Sequence, residues 1–341
     1  MRYKKPLIIF LLVVCFILLA ILGVGSHWYF TYSYTTTAYN DILEEKLSSR
    51  FNQEVSLSEV TVSPRYGIEI HDFKITNKLG FSEEYFLEAP RVQIPIDVRN
   101  ILNFLLEKEL VLREVYLLDS RIDVEISMEE GVNFPQTFPA QFLEPVEVEL
   151  QEHLPVRMDI RKIVVNNPTV SLTYLDQSYG VIELSEVSAT LVDEQILNMK
   201  ADGVKGDLVT VHSDQFRGTA NLILQETPIG AGDITIQQVL FDPLPFAEQF
   251  ERFFDLPPVR HQSFPSMQLN FNLSDRTLLI SDFSGENDTL QFQLTGNIDF
   301  DGTLDLNVQY TYSSLPGDRD VPGQTFSVSV TGDLVEQEFS Y

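Results

Sequence analysis

An eight-residue pattern of apolar and polar positions recurs along the chain. It reads apolar, polar, apolar, two polar residues, then apolar, any residue, apolar. Val55–Val62 (VSLSEVTV) and Ile68–Ile75 (IEIHDFKI) carry it in close succession. It returns at Leu110–Leu117 (LVLREVYL), Met158–Val165 (MDIRKIVV), Ile182–Ala189 (IELSEVSA), Ile234–Phe241 (ITIQQVLF) and Leu278–Gly285 (LLISDFSG). The closing positions weaken to Ala189 and Gly285 in two copies. A random chain of this composition gives on the order of one or two matches.

Side chains of a strand alternate faces with period two. Val55 and Leu57 share one parity, and Val60 and Val62 have the other. One extra residue at the polar pair, a β-bulge, returns all four to one face and bends the strand. The pattern therefore predicts a mainly β protein: an elongated, bent antiparallel sheet, groove-like, with one apolar face concave. Val55, Leu57, Val60, Val62, Ile68, Ile70, Phe73, Ile75, Leu110, Leu112, Val115 and Leu117 are expected on that face. About 18 strands at ~4.8 Å would extend ~85 Å, long for a globular core and suited to a trough. The same residues are the candidate ligand-contacting set. A charge at Ile70 or Leu112 is then expected to block binding while the body stays folded. Any sheet must bury one face, so a closed core is the competing reading.

The remaining elements follow from spacing. Ala38–Phe51 (AYNDILEEKLSSRF) places Ile42, Leu43, Leu47 and Phe51 at helical intervals and reads as a short capping helix. Asn100–Glu107 (NILNFLLE) predicts another short helix, and Pro243–Asp255 a third with Phe246, Phe250, Phe253 and Phe254 on one face. Strands are expected at Phe86–Asp97, Arg121–Ser127, Val156–Val165, Thr169–Tyr174, Val181–Leu191, Gly218–Leu224 and through Leu278–Tyr310. Gly131–Pro155 holds Pro135, Pro139, Pro145 and Pro155 and separates two lobes, 35–130 and 156–341. Leu256–Pro265 predicts a second break.

Residues 1–34 have a different character. Leu7–Val24 is uncharged over about 18 residues; as a helix it spans ~27 Å, close to the hydrocarbon thickness. Arg2, Lys4 and Lys5 precede it, and Trp28, Tyr29, Phe30, Tyr32 and Tyr34 follow as an aromatic belt. The expectation is a retained single-pass anchor with a cytoplasmic N-terminus. A cleaved signal peptide is the alternative, since Gly23-Val24-Gly25 offers a small-x-small site.

Charge narrows the partners. The chain carries −27, and its body beyond the anchor about −30, so it should repel nucleic acid and anionic membrane surfaces. Cys15 is the only cysteine and excludes an intrachain disulfide. Val14 stands where a lipoprotein signal needs a small residue.

Catalytic signals are weak. Asp299-Phe300-Asp301-Gly302-Thr303 matches the D-x-D-G-T signature of haloacid-dehalogenase-type phosphatases, whose first Asp is a nucleophile. Only 37 residues follow Leu304, too few for the α/β domain that this chemistry needs. The stretch reads instead as a hairpin turn. Setting Phe300 opposite Leu304 and Ile298 opposite Leu306 makes the loop Asp301-Gly302-Thr303. His27, His71, His153, His212 and His261 have no metal-ligand spacing, and His71-Asp72 falls on a bulge pair. No G-x-S-x-G or Walker-type loop is present. The chain is read as no enzyme, with no cofactor and no metal.

The order of these features resembles the AsmA family of bacterial envelope proteins. Val55–Val62, Gly67–Asn77 and Gly80-Phe81 match the family's opening strands, and FLEAPRVQIPIDVRNILN its next block. Gly131-Val132-Asn133-Phe134 is similar to its Gly-x-Asn turn, Ile160–Val170 to its second strand group, and LTGNIDFDGTLDLNV and SVSVTGDL to its closing repeats. The chain stops at Tyr341, where family members usually run on. The resemblance implies a bacterial inner-membrane anchor, a periplasmic body and a role in envelope biogenesis or lipid homeostasis. Phospholipid on the apolar face is the expected ligand. The alternative is an assembly factor for outer-membrane proteins, with a closed core and other envelope proteins as partners.

Overall fold

The computed structural model describes residues 34–36, 40–63, 66–96, 100, 110–127, 131–133, 146–149, 155–174, 177–193, 196–223, 229–254, 261–274, 277–299, 303–315, 318–322, 324–333 and 337–340. The apolar run Leu7–Val24, the aromatic belt before Tyr34, the expected helix after Asn100 and the turn at Asp301-Gly302 lie outside these residues. Among the described residues, no helix is long and apolar enough to cross a membrane.

The alternating segments join one 22-stranded sheet, beside a separate two-stranded ribbon. Neighbours follow chain order from Tyr34–Thr36 at one edge to Gln337–Ser340 at the other. The sheet is roughly sixteen strand positions across, about 75 Å at ~4.8 Å each.

It is mixed rather than purely antiparallel, which corrects the expectation. Leu110–Leu118 runs parallel to Pro155–Asn166, and Arg121–Ser127 parallel to Thr169–Tyr174. A parallel neighbour needs a crossover of a dozen or more residues, where an antiparallel one needs only a hairpin. The proline-rich stretch between Ser127 and Pro155 supplies that length. The strands on either side of this stretch belong to one sheet.

The predicted bulges are present at the polar pairs. The first strand is interrupted between Ser56 and Glu59, where the Ser58 N–H donates to the His71 carbonyl at 2.9 Å. Asp72 (φ 51°) and Gln238 (φ 52°) take left-handed backbone. The ladders shift between Met158 and Lys162, around Leu184–Glu186, and between Ile280 and Phe283. Neighbouring strands kink at the same level, so Val55↔Ile75 and Val60↔Ile70 keep one register across the kink. Asp119 (φ 53°) and Asn167 (φ 49°) continue the crease through the parallel junction, where the Asn167 amide donates to the Asp119 carboxylate at 3.1 Å. Asp and Asn tolerate this conformation best among residues with a Cβ.

Two helices are described. α1 (Asn40–Phe51) lies within the expected segment, and α2 (Ala247–Phe254) starts later than expected because Pro243–Phe246 forms a loop. Each covers one end of the sheet. Leu43 and Phe51 of α1, with Leu47 against them, close a core over Val55, Val60, Ile70, Ile75 and Val92. Ala247 and Phe250 of α2 close a second core over Phe264, Leu290, Val308, Tyr310 and Val328.

The hairpin holding the phosphatase-like motif has a different register from the expected one. Ile298 pairs with Leu304, and Gly296 with Leu306. The expected register differs by two residues and keeps every side chain on the same face, so alternation does not discriminate between them. Gly296 does: φ is +134°, and a Cβ there would overlap the Asp305 carbonyl oxygen. Gly296→Val is expected to lower stability by about 1–3 kcal/mol, read as an earlier urea midpoint. An unchanged midpoint would contradict the assigned register. Asp299 accepts a hydrogen bond from the Thr277 hydroxyl of the adjoining strand, a structural bond between neighbouring strand ends.

Candidate functional site: the inward apolar face

Directly paired residues of neighbouring strands point to the same face. Following the pairs traces one lateral file across the sheet. It begins Val60, Ile70, Val92, Leu117. It crosses the parallel junction to Val165, then Val187, Ala201 and Gly218. It continues through Ile234, Leu269 and Phe283 and ends at Leu294, Val308 and Val328. Every member is apolar. Both helices therefore lie on the same face of the sheet.

Burial along this file is uneven. Val60, Ile70 and Val92 are buried under α1, and Leu294, Val308 and Val328 belong to the core under α2. Leu117, Val165, Val187, Ala201, Ile234, Leu269 and Phe283 between them are half-buried. Gly218 is buried because the Ile234 side chain lies against it. The floor is low in this middle stretch: the Phe216 ring fills the space that a Cβ on Gly203 would occupy, and the Phe271 ring does the same at Gly232. Neighbouring pairs on the same face are again apolar, such as Met199 with Ala220 and Leu197 with Leu222.

The opposite face carries the charges. Arg217 pairs with Asp202 at 2.6 Å, and Arg91 with Glu69 at 3.7 Å. Lys205 and His212 both bond Asp207 and hold its carboxyl below the usual range. These are solvated pairs of small energetic weight. These pairs keep the outer face polar.

The sequence-derived candidates fall mainly at the α1 end. Val55, Leu57, Val60, Ile68, Ile70, Phe73, Ile75 and Leu112 are buried in the core that α1 closes, and Val115 and Leu117 pack against it. Val62 shares the parity of Val60 but is 36 % exposed, paired with Tyr34 of the edge strand. The Leu110 side chain lies outside the described residues, although its backbone pairs with Val156. The half-buried middle stretch, including Ala201 and Ile234, was not among the candidates. Its signal is faint because the strand Ile196–Leu208 mixes Lys, Asp and Gly into its alternation.

Three polar groups elsewhere, Glu125, Asn133 and Asn287, are occupied by structural bonds. Glu125, 1 % exposed, accepts from the Ser82 N–H at 2.9 Å and pins the loop before Tyr85. Asn133 donates to the Asp123 carbonyl and accepts from the Glu125 N–H. A hollow of about 540 Å³ is lined by Gln238, Ser263, Phe264, Pro265, Asn287 and Asp288. Asn287 spends its amide on Gln262 and Ser263 and its carbonyl oxygen on Thr289 and Leu290. Among the described residues no cluster of His, Cys, Asp or Glu has the arrangement of a metal site. Comparison with protein-family models, with curated proteins and with solved structures gives no match.

Proposed function

We propose that this protein is an AsmA-like envelope protein, anchored in a bacterial inner membrane by Leu7–Val24, that holds phospholipid acyl chains against its inward apolar face in the periplasm. The observation that carries the reading is the file from Val60 to Val328, wholly apolar and half-exposed only between the two helices. A face built solely as a core would be covered along its length. Each methylene moved from water onto such a surface is favourable by about 0.8 kcal/mol, so two acyl chains bind without a headgroup clamp. The acidic exterior keeps the body in solution and away from anionic leaflets. No catalytic step is assigned.

The second reading, an assembly factor for outer-membrane proteins, is favoured by one observation: the α1 end is a closed core in which eight of the sequence-derived candidates are already covered. Mass spectrometry of the purified full-length protein separates the two. The lipid-holding reading expects phospholipid to co-purify at near one molecule or more per chain. A protein that carries none, and takes up none from phosphatidylethanolamine–phosphatidylglycerol vesicles, is the assembly factor. The anchor is a separate matter: resistance to carbonate extraction is expected, and a mature N-terminus near Ser26 would contradict it.

A further inference from the structure

We propose that one rim of the sheet, marked by Val192, Ile196, Ile223 and Ile229, rests in the membrane that holds the anchor. The body then lies along the leaflet and takes up acyl chains over this rim. The proposal rests on the anchored, lipid-holding reading and adds an orientation and an entry point to it.

The first argument is a failure of alternation. Strands Ile196–Leu208 and Gln215–Ile223 set polar outward residues, such as Lys200 and Thr219, against apolar inward ones. At one end the contrast is lost. Leu197 pairs with Leu222 on the inward face, and the next residues, Ile196 and Ile223, pair with each other on the outer one. Ile223 pairs in turn with Ile229. Val192 is 60 % exposed, Ile223 42 % and Ile196 40 %. A core needs apolar side chains on one face of an antiparallel sheet only. Exposed apolar side chains on the second face of the same strand ends suit surroundings that are themselves apolar.

The second argument is charge. One row further in on the outer face, register pairs run from Thr190 through Asn198, Asn221, Ala231 and Asn272 to Leu279. No member is charged, in a body that is strongly acidic. The opposite rim also exposes Tyr179 and Val209, but beside Lys205, Asp207 and His212. The sequence about the proposed rim adds Asp193, Glu194 and Glu226, which favours zwitterionic headgroups over anionic ones.

The third argument is where the chain arrives from the anchor. Register pairs lead from Thr36 through Val60, Ile70 and Val92 to Leu117, and on to Ala201. Those of Thr35 lead through Thr61, Glu69, Gln93 and Tyr116 to Lys200. Moving from Thr36 to Tyr34, toward the anchor, is therefore the same direction as moving from Ala201 to Ile196. Tyr34 is ten residues beyond Val24, at most about 35 Å of chain. The strand of Ile196 lies seven spacings from that of Tyr34, roughly 34 Å along the sheet. The anchor thus joins the sheet on the side that carries the isoleucines. A body standing upright on its edge strand would hold them out of the membrane.

The same geometry gives the entry point. Ala201 stands five residues from Ile196, about 17 Å along the strand. The hydrocarbon of one leaflet is about 15 Å deep. An acyl chain that leaves the leaflet over this rim reaches the half-buried middle of the inward face.

The test uses the full chain with Cys15→Ser, reconstituted into phosphatidylethanolamine–phosphatidylcholine liposomes. Ile223→Cys and Val209→Cys carry an environment-sensitive fluorophore, one on each rim, and doxyl-labelled phosphatidylcholine is the quencher. Quenching at Ile223→Cys is expected to be about fivefold that at Val209→Cys. No quenching at Ile223→Cys, or equal quenching at both, in protein that floats with the liposomes overturns the rim contact and leaves the anchor standing. Protein that does not float overturns both. A blue-shifted but unquenched probe at Ile223→Cys means that a second copy covers the rim, and overturns the membrane contact. Should Ile223→Cys fail to fold, Ile196→Cys on the paired strand gives the same readout. A photo-crosslinker at Ala201 separates the two ideas. Lipid captured there without quenching at Ile223→Cys refutes the rim alone; quenching without captured lipid upholds the membrane contact and refutes the lipid-holding reading.

Discussion

Ile70→Asp and Leu112→Asp are expected to unfold the N-terminal end of the sheet rather than to block a ligand. The sequence pattern alone suggests the opposite outcome, with a folded body that has lost its lipid. Ile70 is 6 % exposed and Leu112 1 %, both within the core beneath α1. A carboxylate there loses the transfer free energy of the aliphatic side chain and finds neither water nor a partner. The combined cost is about 4 kcal/mol or more, a large share of a typical domain's stability. Circular dichroism during urea unfolding should show a lost or strongly shifted transition. A native-like transition would mean that α1 does not close this end.

Ala201→Asp is expected to behave in the reverse way. Ala201 sits midway along the lateral file and is half-buried, between Val187 and Gly218. A carboxylate here can turn toward water, so the stability cost should stay near 1–2 kcal/mol. An acyl chain cannot approach a solvated charge without stripping its water. Losing contact with three methylenes removes about 2.4 kcal/mol, or roughly fiftyfold in affinity. Lipid occupancy by mass spectrometry should fall by that order while the unfolding transition persists. Undiminished occupancy would remove the middle stretch from the binding site.

The two substitutions differ because the sequence reveals which side chains share a face but not what covers that face. Parity and polar pairs were enough to locate the bulges at Ser58-Glu59, His71-Asp72, Gln237-Gln238 and Ser281-Asp282, since an extra residue is needed to keep both halves of each unit on one side. The capping role of Ala38–Phe51 was legible from its helical spacing. The parallel junction was not, because the alternation of Leu110–Leu118 and Pro155–Asn166 is the same for either strand direction. Only the long proline-rich return hinted at it. The hairpin register at Gly296 was hidden for a related reason, as a shift of two residues preserves every face. The strand Ile196–Leu208 escaped notice because its inward positions Ala201, Gly203 and Gly206 are small and its outward ones are Lys200, Asp202 and Lys205. The uneven burial along the face depends on where α1 and α2 dock, a tertiary fact that no local pattern contains.

The central claim is that lipid lies on the middle of the inward face and nowhere else on the sheet. Site-specific photo-crosslinking in cells tests it most directly, with the reactive residue placed in turn at Ala201, at Thr219 on the outer face of the adjoining strand, and at Ile70 beneath α1. Mass spectrometry of the purified protein should find phospholipid adducts at Ala201 and none at Thr219 or Ile70. Absence of adducts at Ala201, or equal yields at Ala201 and Thr219, would contradict the account.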